Sequence, residues 1–364
     1  MSIASYLLAI LGLAVLMIVH EGGHYLAARK FGMRVTKFSI GFGPTLFKHR
    51  PKDSPTTFQI AVIPFLAYVQ IAGMNPFEEH DPNDKASYAN ASLLARVATI
   101  AAGPIANYLF ASIFMFLGFM LGGNTVQDEM RVRVSPDGPA AHAGILDGDN
   151  VIAVNGSKVA DWDALKRAIG AHPGEPVDVE VERASEHLHI KVTPVGEGEN
   201  KGKILIIPKY KVVKVGVGEA ALLSVKEPPR VVIGLIQGLV RIVTGKDKPE
   251  LSGPVGITKE VAAAVRSGAG DAFKLLGMIS AYLGGFNLLP FPALDGGRLL
   301  FLGFEAASRR KADAKVEAKV HAVGLLMFLT LIAFVTYTEI IPKRDAASPV
   351  NSAASAQSSP ATSR

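Results

Sequence analysis

Ile3-Ala4-Ser5-Tyr6-Leu7-Leu8-Ala9-Ile10-Leu11-Gly12-Leu13-Ala14-Val15-Leu16-Met17-Ile18-Val19 runs without a charge into His20-Glu21-Gly22-Gly23-His24. At about 1.5 Å per residue, the apolar run covers roughly 26 Å of a hydrocarbon core whose thickness is about 30 Å. The five residues that follow read H-E-x-x-H. Two histidines four apart on a helix are separated by about 400° of rotation, so both imidazoles leave one face. Imidazole suits Zn²⁺, and a catalytic zinc takes three protein ligands and leaves a position open. Glu21 lies about 100° round from His20, where it reaches a water at the metal as general base without ligating it. The competing reading is a chance motif at a helix end, with both histidines facing headgroups. Ionisable and metal-binding groups at membrane depth are costly and functional by default, which favours the metal site.

Composition agrees with a membrane-embedded chain. Of 364 residues, 49% are hydrophobic, and the mean hydropathy is +0.29. There is no cysteine, so disulfides and thiolate zinc sites are excluded and a metal must be held by His, Asp or Glu. The net charge of +6 does not imply nucleic acid, since Lys and Arg mark cytoplasmic loops in membrane proteins. The first residues lack a basic n-region and a cleavage signature, so no signal peptide is expected.

Further along, Phe38-Ser39-Ile40-Gly41-Phe42-Gly43-Pro44 alternates glycine with aromatics and reads as strand and turn. Thr56–Ile63 and Tyr68–Ala72 are two β-rich runs either side of Pro64-Phe65-Leu66-Ala67, read as a hairpin. Such a hairpin is either buried against protein or beside a wet cavity, where an extended substrate could add as a strand, or it is an ordinary loop outside the membrane. A second span is expected over Leu93–Leu121. Within it Asn107 is either packing glue or a partner of the metal site, with glue favoured.

Residues 126–218 change to the composition of a soluble α+β domain. Val132 to Gly156 contains a short helix entered at Pro139, a Gly148-Asp149 turn and a strand ending at Asn155-Gly156. This resembles the core signature of a PDZ domain, a module that binds extended peptides by strand addition. A helix over Asp161–Ile169 and strands over Val177–Glu182 and His187–Thr193 follow. His142, His172, His187 and His189 lack ligand spacing and read as surface residues.

Val231–Val243 is too short to span and reads as interfacial, and Leu251–Ile257 reads as a turn. A third span over Ala272–Phe291 ends in Asn287-Leu288-Leu289-Pro290-Phe291-Pro292-Ala293-Leu294-Asp295-Gly296-Gly297-Arg298. Two prolines break the helix, and the freed backbone groups are tolerated only at buried or wet sites. Asp295 is the natural third ligand of a His₂-carboxylate zinc; the alternative is a helix N-cap. Asn287 is placed to donate to a substrate carbonyl or an oxyanion. A charged stretch, Glu305–Lys319, precedes a fourth span over Val320–Ile341, and an Ala/Ser/Pro-rich tail is expected to be disordered. The basic loops 29–52 and 298–319 are expected in the cytoplasm, with the PDZ-like domain outside.

These motifs occur in the order found in the site-2 protease family of intramembrane zinc metalloproteases, which the chain resembles from Ile3 to Ile341. The similarity is to the bacterial regulator-of-sigma-E protease type, here with a single PDZ domain. The best-known member has two, and a Gly-Gly pair usual at the hairpin tip is replaced by Leu66-Ala67. The resemblance implies zinc on His20, His24 and Asp295, Glu21 as catalytic base, and Asn287 and Pro290 on the substrate side. It also implies hydrolysis within single-span substrates of the anti-sigma-factor kind, already trimmed by another protease, in the bacterial inner membrane. The expected architecture is a polytopic α-helical membrane protein with four transmembrane helices, a membrane-associated β-hairpin and an inserted α+β PDZ domain. Its expected segments are 1–125 (helices one and two with the hairpin), 126–218 (PDZ-like), 219–270 (interfacial linker), 271–344 (helices three and four) and 345–364 (tail). The rival readings are a catalytically inactive adaptor that captures peptides through the PDZ domain, and a metal transporter, for which the spans supply few further ligands.

Overall fold

In the protein's computed structural model, residues 2–75, 81–196, 202–246 and 252–341 are described; the expected tail 345–364 lies outside them. Among the described residues, three helices are long and apolar enough to cross a membrane. They are Ile3–Lys30, Leu93–Gly122 and Lys315–Ile340, with mean hydropathies of 2.4, 1.8 and 2.1. The protein is an integral membrane protein with a β region. Residues Phe119–Val217 form one compact unit and the chain on either side of them forms the other.

Helix α1 (Ile3–Lys30) starts at Ser2, whose hydroxyl accepts the Ser5 N–H at 3.3 Å. It ends with Arg29 and Lys30 in its last turn, where cations favour the helix dipole. Strands β1 (Val35–His49) and β2 (Thr57–Ile71) follow. Here the expected hairpin is corrected. Thr56–Ile63 and Tyr68–Ala72 do not pair with each other, because the first half of β1 lies between them. Phe38 faces both Phe58 and Val69, and Ser39 faces both Gln59 and Tyr68. Period-2 alternation marks a strand but says nothing of its partner. The far half of β1 exposes Phe42, Leu46 and Phe47. Helix α2 is Leu93–Gly122.

In the Phe119–Val217 unit, β3 (Asn124–Val134) leads into α3 (Pro139–Ala143), β4 (Asn150–Val154), β5 (Ser157–Lys158), α4 (Trp162–Gly170), β6 (Val177–Arg183), β7 (Glu186–Val192) and β8 (Ile206–Val213). The sheet order is β7-β6-β4-β3-β8, with β5 on β4. The short helix, the turn after Val154 and helix α4, capped by Asp161, lie where the sequence places them. Val177, Val179 and Val181 point into the core and are fully buried, each stabilising the unit by about 1.5–3 kcal/mol. Asp149, also buried, accepts from Arg183 Nε at 2.8 Å, Arg183 Nη2 at 2.7 Å and the Leu146 N–H at 2.8 Å. Burial opposes ionisation of this carboxyl, but the guanidinium and the amide hold it below the usual carboxylate range. A lowered folded-state value contributes stability that is complete above the unfolded value of about 4 and is lost as pH falls through the folded one. Asp149→Ala leaves Arg183 and the Leu146 amide without their acceptor. It is expected to destabilise this unit by about 3 kcal/mol, read as faster amide exchange across β4 and β6 in the full-length protein.

Beyond this unit come α5 (Val217–Val243), α6 (Pro254–Ser267), α7 (Ala269–Asn287), α8 (Asp295–Ser308) and α9 (Ala314–Ile340). Two expectations change. The interfacial stretch is the second half of a longer helix that carries Pro228 and Pro229 inside it. Of the expected turn over Leu251–Ile257, Leu251 lies outside the described residues and the rest enters α6, with Pro254 in its first turn, where the missing N–H has no intrahelical partner to lose. Ala9 and Leu16 of α1 pack with Val261 and Ala262 of α6 and Leu276 of α7. Lipid tails are as apolar as these side chains, so close packing rather than water exclusion holds the helices together. Arg96 at the start of α2 grips Glu305 of α8 with two bonds, 2.9 and 2.5 Å, a fork that fixes the orientation of α8.

Candidate metal centre

The helical spacing in α1 brings the two imidazoles together. His20 Nε2 and His24 Nε2 are 3.2 Å apart, and the rings stand nearly perpendicular with centroids 4.8 Å apart. Both histidines are buried. Asp295, first residue of α8, brings its Oδ2 to 3.1 Å from His20 Nε2 and 3.4 Å from His24 Nε2. That oxygen is buried and receives no hydrogen bond from the described residues. Metal–ligand bonds of about 2.0–2.1 Å at tetrahedral angles separate ligand atoms by about 3.3–3.4 Å. The three observed separations match that edge, so the cluster fits a zinc ion and leaves a fourth position free. His20, His24 and Asp295 are the one such group among the described residues.

The other ring nitrogens are fixed by α2. His24 Nδ1 lies 2.8 Å from the Thr99 carbonyl, which can only accept, so Nδ1 carries the proton and Nε2 presents its lone pair. His20 Nδ1 lies 3.3 Å from the Asn107 side-chain amide. A histidine that ligates through Nε2 is likewise protonated at Nδ1, so Asn107 must offer it Oδ1. A half-turn of the amide does this and gives the buried Oδ1, otherwise unpartnered among the described residues, a donor. Asn107 is therefore more than the packing glue favoured from the sequence. Ser280 Oγ donates to the Asn107 carbonyl at 2.7 Å and pins α7 beside it. The signal was present in the sequence: Thr99, Gly103 and Asn107 recur every four residues on one face of α2. Gly103 is needed because a Cβ there would collide with the His24 ring, and Gly23 because one there would strike the Ala102 carbonyl.

Glu21 lines a cavity of about 350 Å³ together with His20, Asp295, Tyr68, Val69 and Asn287. Val69 of β2 lines the cavity beside it. Asn287 faces this space, with its amide donating to the Leu283 carbonyl of its own helix at 3.0 Å. Pro290 is exposed and does not line the cavity. The arrangement joins a three-ligand cation site, a carboxylate beside it that is not in the ligand cluster, and a strand segment along one wall.

Residues 8–331 match peptidase family M50. A protein of Agrobacterium fabrum that carries the name of a zinc metalloprotease is 32% identical over 91% of this chain and 94% of its own. The zinc metalloprotease RasP of Geobacillus kaustophilus is 28% identical over 89% of this chain and 95% of its own. The regulator of sigma-W protease RasP of Bacillus subtilis is 28% identical, with the same coverage.

Proposed function

The chain belongs to peptidase family M50 and is a zinc metalloprotease, and from that premise we propose that it hydrolyses peptide bonds within the membrane-spanning segments of other membrane proteins. The observation that carries this reading is that two of the three cluster residues, His20 and His24, and the neighbouring Glu21 lie on α1, a helix apolar and long enough to cross a membrane. A soluble protease has no reason to place its chemistry there.

His20, His24 and Asp295 hold the zinc. Bound there, zinc supplies a Lewis acid that polarises the scissile carbonyl and acidifies a water. Glu21 takes the proton of the attacking water as its oxygen bonds to the carbonyl carbon. It then gives that proton to the amide nitrogen as the C–N bond breaks. A helical carbonyl is already engaged by an amide four residues on, so the substrate must unwind locally. The β2 segment along the cavity wall pairs with β1 along one edge, and its other edge pairs with no strand among the described residues. That edge suits pairing with an extended substrate. Asn287 faces the same space and donates to the substrate backbone once it releases Leu283. Pro290, outside the lining, shapes the site by ending α7.

Helix α7, with 19 residues, is about 28 Å long and is the fourth crossing segment. It is less apolar than the other three, carrying an Asp271–Lys274 pair at 2.9 Å near one end. The exposed aromatics of β1 lie in the membrane. The Phe119–Val217 unit is a PDZ domain on the outer side of a bacterial inner membrane. Its apolar groove of about 450 Å³, between α4 and residues 202–207, receives peptide. The Bacillus subtilis relative is named for sigma-W regulation, which supports a substrate that controls a sigma factor; the proposed substrate class is a single-span, anti-sigma-factor-like protein trimmed beforehand by another protease. The test is incubation of the purified protein with a trimmed single-span substrate, followed by mass spectrometry of the products. A cut inside the apolar segment is expected. Cleavage confined to the soluble flank would refute the intramembrane reading.

A further inference from the structure

The turn that presents Asp295 is held in an unfavourable backbone conformation from outside. Ala293, two residues before the ligand, has φ +73°, a left-handed value that side-chain-bearing residues adopt only when their surroundings impose it. The imposing group is on α9. Ala293 N–H donates to His321 Nδ1 at 3.0 Å, so this imidazole accepts at Nδ1 and carries its proton on Nε2. Nε2 is buried and has no hydrogen-bond partner among the described residues, with Glu317 Oε1 at 4.0 Å. The ring also packs against Phe301 of α8, centroids 5.9 Å apart. One turn further along α9, Gly324 lets the helix press against Pro292, where a Cβ would collide with the proline ring. Polar ring and glycine lie three residues apart on one face of α9 and close on the same turn.

We propose that His321 is a positioning residue for the metal centre: by accepting the Ala293 N–H it holds the strained turn that aims Asp295 at His20 and His24. This rests on the ligand set proposed above. His321 touches neither metal nor substrate, and it acts through the backbone that precedes the third ligand. Outer groups of this kind tune metal affinity by about 10–100-fold.

The experiment measures Zn²⁺ affinity of the full-length, detergent-solubilised protein by chelator competition, and amide exchange over residues 290–296 in the metal-free protein. His321→Phe keeps the ring and removes the acceptor. It is expected to weaken zinc binding about 10–100-fold and to speed exchange at Ala293. His321→Asn puts Oδ1 near the place of Nδ1 and is expected to restore both, whereas His321→Gln, whose oxygen reaches the place of Nε2, restores neither. Wild-type affinity in His321→Phe overturns the proposal, since the ring would then only fill space. Equal rescue by Asn and Gln overturns it too, because any polar group there would then serve and the acceptor at the Nδ1 position would not be what holds the turn. Asp295→Ala serves as the control. If it binds zinc as the wild type does, the ligand set fails rather than the role of His321.

Discussion

The Glu21→Gln protein is expected to purify with its full complement of zinc and to hydrolyse peptide bonds about 10²–10⁴-fold more slowly than the wild type. Glutamine has nearly the same shape but cannot take a proton at neutral pH. Each factor of ten corresponds to about 1.4 kcal/mol of barrier, so the loss assigns roughly 3–5 kcal/mol to proton transfer. Zinc should stay because the Glu21 carboxylate is not among the three ligand atoms that converge, and the neighbours that aim those atoms, Thr99, Asn107 and Ser280, do not involve it. Metal analysis and cleavage of the same sample check both halves. A Glu21→Gln protein that lost its zinc would make this residue a ligand and remove the base from the account.

Asp295→Ala is expected to have the larger effect on the metal. It removes the carboxylate of the three and leaves the two imidazoles, 3.2 Å apart. The loss should exceed the about 10–100-fold change seen when only an outer partner is removed, so that the purified protein is nearly metal-free and inactive. Asp295→Ala also leaves α8 in place, because Arg96 still grips Glu305 on that helix. Unchanged helix content with absent zinc therefore separates ligand loss from misfolding. Retained zinc at wild-type affinity would show that the ion sits elsewhere.

How much was legible in the sequence depended on how local each feature is. The apolar run into His20–His24 announced both a membrane helix and a metal face, because length and four-residue spacing are set within a single helix. That Asp295 would meet the two histidines was legible because two prolines beside it break a helix where a break is expensive, and because the order of motifs resembles a known family. The strand region was misread because pairing is not local. Thr57–Ile60 and Ala67–Ile71 flank Val35–Ile40, and nothing in their own alternation reports a third strand between them. Helix α5 was read only over Val231–Val243 because the apolar run begins after Arg230, whereas the helix starts at Val217 and continues through Pro228 and Pro229. Asn107 was taken for packing glue because a polar residue in an apolar helix has no stated partner until another helix supplies one. His321 carried no local signal, since its partner is the backbone N–H of Ala293.

The most direct measurement of the central claim is zinc-edge X-ray absorption on the purified wild-type protein. The account predicts a shell of about four nitrogen and oxygen atoms at about 2.0–2.1 Å, with the outer scattering of two imidazoles, and loss of bound zinc in Asp295→Ala. A shell with three or more imidazoles, or one made of oxygen alone, would contradict the assignment of His20, His24 and Asp295.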